Sequence, residues 1–473
     1  MTWTTVRSLS LFVCVALTSC AGSSGSHVVP SSFASAAASS SKIQHIVMIV
    51  QENRSVDNLF ATFPGVDGAT FGYYLKKVNG KYVKTKIALT EKPLSGGLDF
   101  NHDSKAYNYD CDGKDTYPKT SCDMDGFNLE GYNNNNPAGT IPYQYIAPKD
   151  IKQYWDLAKH FALGDHLFQT QGSGSFTAHQ DLVAGGTMIA DTHCGTSKPT
   201  CALIDYPGPS DFNDWGCKAT QYTTNLLTQK GKYLAWMGPP PCISYPTPTM
   251  RDLMDAKNVT WKYYAPPYNK EELNGLWNAM AALSEVYNGP EWKTNVSMPE
   301  CNIFADIKSG VLPQVSWVIP EAQNSDHPGG PSAPDNGPEW VGAVVDAIGK
   351  SAYWKSTAIV ILWDDWGGFY DHEPPPLFDN MGGLGFRVPL LVVSPYVPKG
   401  EISHTQYEFG SVLKFVEGTF DLGSMGTTDV RATSIADMFA LNQKARPFAP
   451  VSAPPSSSFC TDQKSLHEPI DRE

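Results

Sequence analysis

The chain contains two apolar runs that end abruptly in polar side chains, at residues 43–50 and 358–363. Runs of this length that are rich in β-branched residues predict buried strands of a sheet. Ligands of open α/β sheets bind beyond the carboxyl ends of the strands, so polar groups that follow two such strands can meet there. The polar side chains that follow these two runs are Glu52, Asn53, Asp364 and Asp365.

A β-α-β unit is predicted next to the second run. Val315–Ile319 is a predicted strand, Pro338–Gly349 a helix with proline near its first turn, and Ala358–Trp363 a second strand. We expect the two strands to be parallel and joined by a right-handed crossover. His327 lies in the connection, which places it beyond the same sheet edge as Asp364.

The remaining pattern is less uniform. Helices are predicted at Lys149–Phe161 and Phe409–Phe420, and a further strand at Val388–Val393. Residues 61–148 have little helical periodicity and predict loops and short strands. Residues 190–310 carry many cysteines, prolines and aromatic residues, and predict a disulfide-braced, loop-rich insertion.

The N-terminus has the features of an export signal. Arg7 precedes a short apolar stretch, and the segment ends at Cys20 in a pattern that resembles a bacterial lipoprotein signal with Cys20 lipidated. Export is therefore expected, either as a membrane-anchored lipoprotein facing the periplasm or exterior, or by ordinary secretion with cleavage nearby. We divide the chain into a signal at 1–20, a Ser/Ala-rich tether at 21–42, a catalytic domain at 43–447 and a Pro/Ser-rich tail at 448–473.

Composition narrows the possible functions. The 473 residues are 41% hydrophobic and 18% charged, which is typical of a globular protein, and the formal net charge is −13. An acidic chain of this kind is not expected to bind nucleic acid, which requires basic patches. Ten cysteines are present, and loss of Cys14 and Cys20 with the signal leaves eight. An even number in an exported chain favours disulfides, with local pairs expected for Cys111/Cys122 and within the 194–242 cluster.

Two features carry candidate chemistry. The four oxygen-bearing side chains that follow the strands would form a shell suited to one divalent cation of unspecified identity. For the acidic pair alone, a solvated turn with a helix cap is the alternative. A Gly-rich loop also precedes a predicted helix that begins near Ser175. A serine there, beside a cation, can attack phosphorus, whereas the alternative is a helix N-cap.

Eight segments occur in order across roughly residues 43–447. They are HIVMIVQENRSVDNLF, DFNHD, MDGF, GSFTAHQ, SDHP, ILWDDWGGFYDH, FRVPLLVVSPY and SHTQYEFGSVLKFVE. Together they resemble the bacterial phosphoesterase family that contains phosphatidylcholine-type phospholipases C and acid phosphatases. The resemblance implies an α/β, alkaline phosphatase-like fold, with a central, mostly parallel sheet flanked by helices.

The resemblance also implies roles for individual residues. It makes Ser175 the nucleophile, and His102 and His327 the histidines that line the phosphate pocket. We expect either His327 or His102 to protonate the leaving group, because histidine titrates near neutral pH. The implied metal ligands are Glu52, Asn53, Asp364 and Asp365. Substrate contact or support of the ligands is the expected role of His179, Asp371, His372 and His404.

The implied activity is metal-dependent hydrolysis of a phosphate ester through a phosphoserine intermediate. Phospholipase C-type cleavage of a phosphodiester, with phospholipid as substrate, is the first expectation. Acid phosphatase activity on monoesters is the alternative, and a non-catalytic, ligand-binding lipoprotein is a third. The oligomeric state is not specified by the sequence.

Overall fold

A computed structural model describes residues 42–116, 119–132, 136–187, 201–207, 216–218, 224–228, 233–234, 242–266, 277–329, 336–376, 383–455 and 457–460. The predicted signal, all but the last residue of the predicted tether, Cys194 and the end of the predicted tail lie outside these residues. Among the described helices, none combines the length and the hydrophobicity that crossing a bilayer requires.

The described residues form eighteen strands. The strands are β1 (His45–Gln51), β2 (Phe71–Val78), β3 (Lys81–Ala88), β4 (Thr90–Lys92), β5 (Gly131–Tyr132), β6 (Asn136–Pro137), β7 (Gln144–Ile146), β8 (Ala162–Phe168), β9 (Cys201–Pro207), β10 (Thr224–Thr228), β11 (Tyr233–Leu234), β12 (Trp261–Tyr264), β13 (Val296–Ser297), β14 (Val315–Val318), β15 (Thr357–Trp363), β16 (Arg387–Val393), β17 (Glu401–Ser403) and β18 (Tyr407–Glu408).

The described α-helices are mostly short. They are α1 (Val56–Phe60), α2 (Ser104–Asp112), α3 (Lys152–His160), α4 (Ser175–Ala184), α5 (Met250–Ala256), α6 (Ser284–Tyr287), α7 (Glu291–Thr294), α8 (Asn302–Ser309), α9 (Gly337–Gly349), α10 (Phe409–Phe420) and α11 (Ser457–Cys460). Single 3₁₀ turns occur at Gly216–Lys218, Ala279–Ala282, Ala322–Asn324, Ala352–Ser356 and Ile435–Met438.

A nine-stranded sheet forms the centre of the fold. Its order is β13-β12-β14-β1-β15-β16-β8-β17, and β18 also pairs with β8. Strand β16 is antiparallel to both of its neighbours, whereas the other described strand pairs of this sheet are parallel. All seven residues of β15 are buried, as a strand covered on both faces requires. Helices α3 and α9 pack on each other, as do α4 and α10. The predicted mostly parallel sheet with flanking helices is confirmed.

The predicted β-α-β unit is present, with one addition from outside the unit. Strands β14 and β15 run in the same direction, but β1 lies between them and pairs with both. The long connection that contains α9 allows this, because parallel strands joined by a helix need not be neighbours. The pattern within residues 315–363 carries no information about an inserted strand.

Residues 61–148 form strands and loops as predicted, but they also contain a helix that the pattern did not indicate. Strands β2 and β3 form a hairpin with eight paired positions, and α2 is a nine-residue helix. The Asp103 carboxylate caps α2 by accepting the N–H of Ala106 at 2.7 Å. Buried and exposed positions do not separate cleanly along α2, which is why apolar periodicity did not indicate it.

Three disulfides join described cysteines. Cys111–Cys122 is the expected local pair, and Cys217–Cys242 is a second local pair within the predicted insertion. The third, Cys301–Cys460, spans 159 residues and ties the C-terminal segment to the start of α8. Spacing along the sequence did not indicate the third pair, because only the fold brings its partners together.

Glu417 on α10 gives a testable pH dependence. Burial, together with nearby Asp429, raises the pKa of Glu417 from 4.5 to about 7. The unfolded chain therefore releases this proton at lower pH than the folded chain does, so folding is penalised increasingly from about pH 4.5 to about pH 7. We expect Glu417→Gln to raise the melting temperature at pH 8 and to leave it unchanged at pH 4.

Glu401→Gln, at an exposed position, is the control. Its melting temperatures at pH 4 and pH 8 measure the effect of removing one negative charge from the surface. Glutamine keeps an oxygen that can accept the 2.9 Å bond from the Met425 N–H, so the change isolates the carboxyl proton. An equal gain for Glu417→Gln at pH 4 and pH 8 would contradict the assignment.

Candidate active site

The two acidic strand ends meet at one edge of the sheet. Strands β1 and β15 are parallel neighbours, and Gln51 pairs with Trp363 at their last positions. Glu52-Asn53 and Asp364-Asp365 therefore leave the sheet side by side, as the sequence predicted. The Asp364 N–H donates to the Gln51 carbonyl at 2.9 Å, which extends the ladder by one bond.

Three side chains converge on one point beyond this edge. Glu52, His179 and Asp364 each place a ligand atom within 4.8 Å of the others, and all three are buried. His179 Nε2 lies 2.9 Å from Glu52 Oε1 and 3.9 Å from Asp364 Oδ2. With Asp365 also fully buried, three carboxylates share this region. Such a group is costly unless a cation neutralises it.

The donor set fits a divalent cation. Asp364 Oδ1 accepts the N–H of Asn53 at 2.9 Å, whereas its buried Oδ2 has no hydrogen-bond donor among the described residues. Oxygen atoms with one imidazole nitrogen suit zinc, iron or manganese, and oxygen ligands alone suit magnesium or calcium. Glu52, Asp364 and His179 are thus the residues best placed to hold a cation.

A close backbone approach shapes the site. Asn53 has a left-handed backbone with φ of 58°, and Gly367 has φ of 60°. A Cβ on Gly367 would lie 2.4 Å from the Asn53 carbonyl oxygen, so a side chain is excluded there. The Gly367 N–H donates to Asp365 Oδ1 at 2.6 Å, which fixes that carboxylate.

Ser175 stands beside this group at the first turn of α4. Gly174 is the N-cap, so Ser175 is the first helical residue and not the cap itself. The Ser175 hydroxyl donates to Asp365 Oδ2 at 3.0 Å and lies 3.4 Å from Asn53 Oδ1. The start of a ten-residue helix also offers N–H groups to an anion.

His102 and His327 lie on another side of Asp365. His102 Nε2 is 3.8 Å from Asp365 Oδ2 and 3.0 Å from Asn53 Nδ2. Its Nδ1 is 2.6 Å from the Phe100 carbonyl, so Nδ1 donates there and Nε2 accepts from Asn53. The His102 and His327 rings are 6.4 Å apart, and both histidines place ring nitrogens near Asp99.

A buried acid pair supports the loop that carries Asp365. Trp366 follows Asp365 directly, and its Nε1–H donates to Asp110 Oδ2 at 2.8 Å. Burial raises the pKa of Asp110 and of Glu130 well above the ordinary range; the Asp110 carboxyl raises the pKa of Glu130 further, whereas the hydrogen bond with Glu130 lowers the pKa of Asp110. These upward shifts favour the protonated carboxyls, which limits the negative charge behind the site.

Asp371, His372 and His404 have other partners. Asp371 accepts a 2.9 Å bond from Arg387, His372 Nδ1 lies 2.8 Å from Asp57, and His404 Nδ1 lies 2.8 Å from Asp165. The two histidines belong to a surface group that we call the outer histidine cluster. Its members are Asp67, Asp165, His166, His372, Glu373 and His404.

The position of His179 was the least foreseeable part of the site. The sequence indicated substrate contact or ligand support for it, and the structure puts it within hydrogen-bond distance of Glu52, one of the predicted ligands. The available signal was its spacing: His179 is four residues after Ser175 on α4, so both side chains lie on one helix face. Spacing of this kind identifies a shared face but not what the face meets.

Comparison with known proteins agrees with the geometry. The sequence model of the Phosphoesterase family matches residues 43–423. A non-hemolytic phospholipase C of Pseudomonas aeruginosa is 24% identical over 451 residues, covering 86% of this chain and 58% of that protein. Phospholipase C A of Mycobacterium tuberculosis is 30% identical over 440 residues, covering 86% of this chain and 78% of that protein.

The chain thus spans little more than half the length of the Pseudomonas relative. Among solved structures, an alkaline phosphatase superfamily protein from Vibrio parahaemolyticus aligns with 60% of this chain and 65% of its own. Its sequence identity is 11% and its TM-score 0.33, too low to support an argument. The family match, in contrast, covers most of the sequence, and the chain belongs to the Phosphoesterase family.

Proposed function

We propose that this protein hydrolyses phosphate esters through a phosphoserine intermediate, with a phospholipid phosphodiester as the preferred substrate. The observation that carries the proposal is the Ser175 hydroxyl, 3.0 Å from Asp365 at the start of α4. A serine in this position is a nucleophile that a binding protein does not need.

A divalent cation held by Glu52, Asp364 and His179, with Asn53 and Asp365 beside them, would supply charge neutralisation and Lewis acidity. The predicted ligand set of Glu52, Asn53, Asp364 and Asp365 is kept in this proposal and extended by His179. Asp365 is also the residue that receives the Ser175 hydrogen bond, so it orients the nucleophile.

The proton balance is simple. The Ser175 Oγ–H bond breaks toward Asp365 as Oγ forms a bond to phosphorus. The bond from phosphorus to the substrate alcohol breaks, and His327 or His102 in its protonated form gives a proton to that alcohol. Water then attacks the phosphorus of the phosphoserine and gives a proton to the neutral histidine, the bond from Oγ to phosphorus breaks, and the proton held by Asp365 returns to Ser175. The N-terminus of α4 stabilises charge on the phosphoryl oxygens throughout.

The phosphodiester preference comes from the relatives named phospholipase C. The test is a comparison of chelated enzyme with each divalent cation restored, on phosphatidylcholine and on an aryl phosphate monoester. Faster release of the phosphorylated headgroup supports the proposal, and turnover of the monoester alone would indicate a phosphatase. One-to-one binding without turnover of either substrate would indicate a ligand-binding lipoprotein instead.

Export and lipid attachment at Cys20 are further proposals, tested by labelling with a radioactive fatty acid.

A further inference from the structure

We propose that a second divalent cation binds at the outer histidine cluster, apart from the candidate active site. Its ligands would be Asp67, His166, His372 and Glu373. The cluster lies where the loop after α1, strand β8 and the segment after Tyr370 come together. A mixed set of two imidazoles and two carboxylates is typical of a zinc or other transition-metal site.

The spacing of the ligand atoms supports this. His166 Nε2 is 3.4 Å from Asp67 Oδ2, and His372 Nε2 is 3.5 Å from Asp67 Oδ1. Asp67, His372 and Glu373 also place one ligand atom each within 4.8 Å of the others. Ligands bound tetrahedrally at about 2.1 Å lie roughly 3.4 Å from one another. Each of the two separations is near that value, but they involve the two different oxygens of Asp67, and His166 lies outside the group of three, so His166 would have to move toward His372 to complete the set.

The other ring nitrogens are held as metal-binding histidines require. His166 Nδ1 lies 2.6 Å from Asp165 Oδ1, and His372 Nδ1 lies 2.8 Å from Asp57 Oδ2. Both carboxylates are fully buried. His166 therefore keeps its proton on Nδ1, whereas His372 Nδ1 also lies 3.2 Å from Arg387 Nη2. Both histidines present Nε2 toward Asp67, the arrangement that orients an imidazole for a metal ion.

Arg387 holds the same region in place through backbone carbonyls and a carboxylate that are not among the proposed ligands. Its guanidinium donates to the carbonyls of Asp67 at 3.0 Å and Asp165 at 3.1 Å, and to the Asp371 carboxylate at 2.9 Å. The loop that carries Asp67 is thus fastened to β8 while its carboxylate faces the histidines.

A cation here would tie together both segments of the candidate active site. Asp57, which holds His372, is five residues beyond Glu52, and His372 is eight residues beyond Asp364. The Asp57 N–H also donates to Asp371 Oδ2 at 3.2 Å. The expected role is structural, since the site would restrain the ligand-bearing turns without contacting substrate.

The competing explanation for this arrangement of side chains needs no cation: His372 is protonated and forms ion pairs with its acidic neighbours. Burial lowers the pKa of His372, but the Asp57 carboxylate outweighs this and raises the pKa to about 9. A cation would have to displace the Nε2 proton, so binding should release protons near neutral pH. The experiment must therefore measure binding directly.

The test uses the full chain with Asp364→Asn, which disables the first site, stripped of metal and titrated with Co²⁺. One equivalent should bind with the strong visible absorbance of a tetrahedral centre. His166→Asn in this background should abolish that absorbance, and His160→Asn, outside the cluster, should keep it. No saturable binding in the Asp364→Asn protein, or an unchanged spectrum in the His166→Asn variant, would overturn the proposal. Circular dichroism of each metal-free variant checks the fold.

An independent observation concerns the β2–β3 hairpin, residues 71–88. Its sequence contains five lysines and no acidic residue, within a chain of net charge −13. Several large apolar side chains on it are exposed, namely Phe71, Tyr73, Val78, Tyr82 and Val83. Exposed apolar groups interleaved with lysines are unusual for a purely solvated hairpin.

The register concentrates both kinds of side chain at the tip. Val78 pairs with Lys81 and Lys76 pairs with Val83, so apolar and cationic groups stand side by side. At the base, partly buried Tyr74 and Ile87 pack on the aromatic cluster that contains Trp366, the neighbour of Asp365. The hairpin is therefore anchored next to the candidate active site.

We infer that this hairpin docks on a phospholipid surface that contains anionic lipid, an inference that rests on the proposed phospholipid substrate. Lysines are attracted to an anionic leaflet, and aromatic or aliphatic side chains beside them enter the headgroup region. Docking would bring the neighbouring site to the plane of the lipid.

The test is sedimentation with vesicles of phosphatidylcholine, with and without phosphatidylglycerol, using the full chain carrying Cys20→Ser and Ser175→Ala. These changes remove any anchor and any turnover. A hairpin variant of this protein should bind the anionic vesicles at least tenfold more weakly. It carries in addition Lys76→Glu, Val78→Ser, Lys81→Glu and Val83→Ser. The matched control, Lys308→Glu with Val311→Ser at the exposed end of α8, should bind as the parent does. Equal binding of the hairpin variant and its parent would refute the inference.

A soluble, short-chain substrate separates this result from the proposed function. With Ser175 restored, the hairpin variant should turn over that substrate at the parental rate if only docking is lost. Absence of turnover in the parent itself would count against the proposed function and not against the hairpin.

Discussion

Replacing Ser175 by alanine is expected to lower kcat by roughly three to six orders of magnitude, as removal of a covalent nucleophile does in other enzymes. The reason is that Ser175 alone among the candidate residues presents a hydroxyl at the start of α4, hydrogen-bonded to Asp365. The Michaelis constant should change little, because the carboxylates and histidines that surround the phosphate are retained. Steady-state kinetics on a phosphodiester and on an aryl phosphate measure both constants.

Ser316→Ala is the matched control. Ser316 is also a fully buried serine of the same fold, on β14, and its hydroxyl has no hydrogen-bond partner among the described residues. The control should retain parental turnover. Rapid quenching during turnover should in addition trap phosphate on the parent protein and none on Ser175→Ala. Parental kcat in the Ser175→Ala variant would remove the nucleophile from the mechanism.

Replacing Asp364 by asparagine is expected to remove one bound cation per chain and to lower kcat/KM by roughly a thousandfold or more, the scale of losing an essential electrostatic group. Asparagine can still accept the Asn53 N–H through one oxygen, so the backbone geometry is kept. Elemental analysis of the purified variant measures the metal, and kinetics measure the activity. Chelation of the parent should give the same loss, reversed when the right cation is restored.

The same substitution should lower activity but raise the thermal stability of the metal-free protein. Glu52, Asp364 and Asp365 are fully buried together, so the metal-free protein concentrates negative charge at the sheet edge. Asp364→Asn removes one of these charges and should raise the melting temperature of the metal-free protein. Asp346→Asn, a buried aspartate on α9 away from the site, is the control and should leave metal content unchanged. A chelated parent with full activity would contradict the cation proposal.

Local patterns in the sequence predicted much of the fold. The helix predicted at Phe409–Phe420 has those bounds, and the strand predicted at Ala358–Trp363 begins one residue earlier, at Thr357. Both depend on side chains within one element, whose periodicity records which face is buried. Helix α2 was missed because its side chains carry little of that periodicity, and its cap at Asp103 is a weak signal alone.

The candidate site likewise has parts that the sequence predicted and parts that it did not. The pairing of Glu52-Asn53 with Asp364-Asp365 was predictable, because each pair ends a strand whose direction the pattern indicates. The outer histidine cluster was not predictable, since its members come from four separate segments between residues 67 and 404. The Cys301–Cys460 bond was hidden for the same reason.

The acidic strand ends, the Gly-rich turn before Ser175 and the order of the family segments are properties of the sequence by itself. They determined the chemistry that this protein offers, because strand ends and helix starts are encoded locally. Only the tertiary structure decided that β1 enters between β14 and β15, that His179 meets Glu52 and Asp364, and that His166 and His372 face Asp67. Those contacts join residues that are far apart in the sequence, and packing of the whole sheet, not local propensity, selects them.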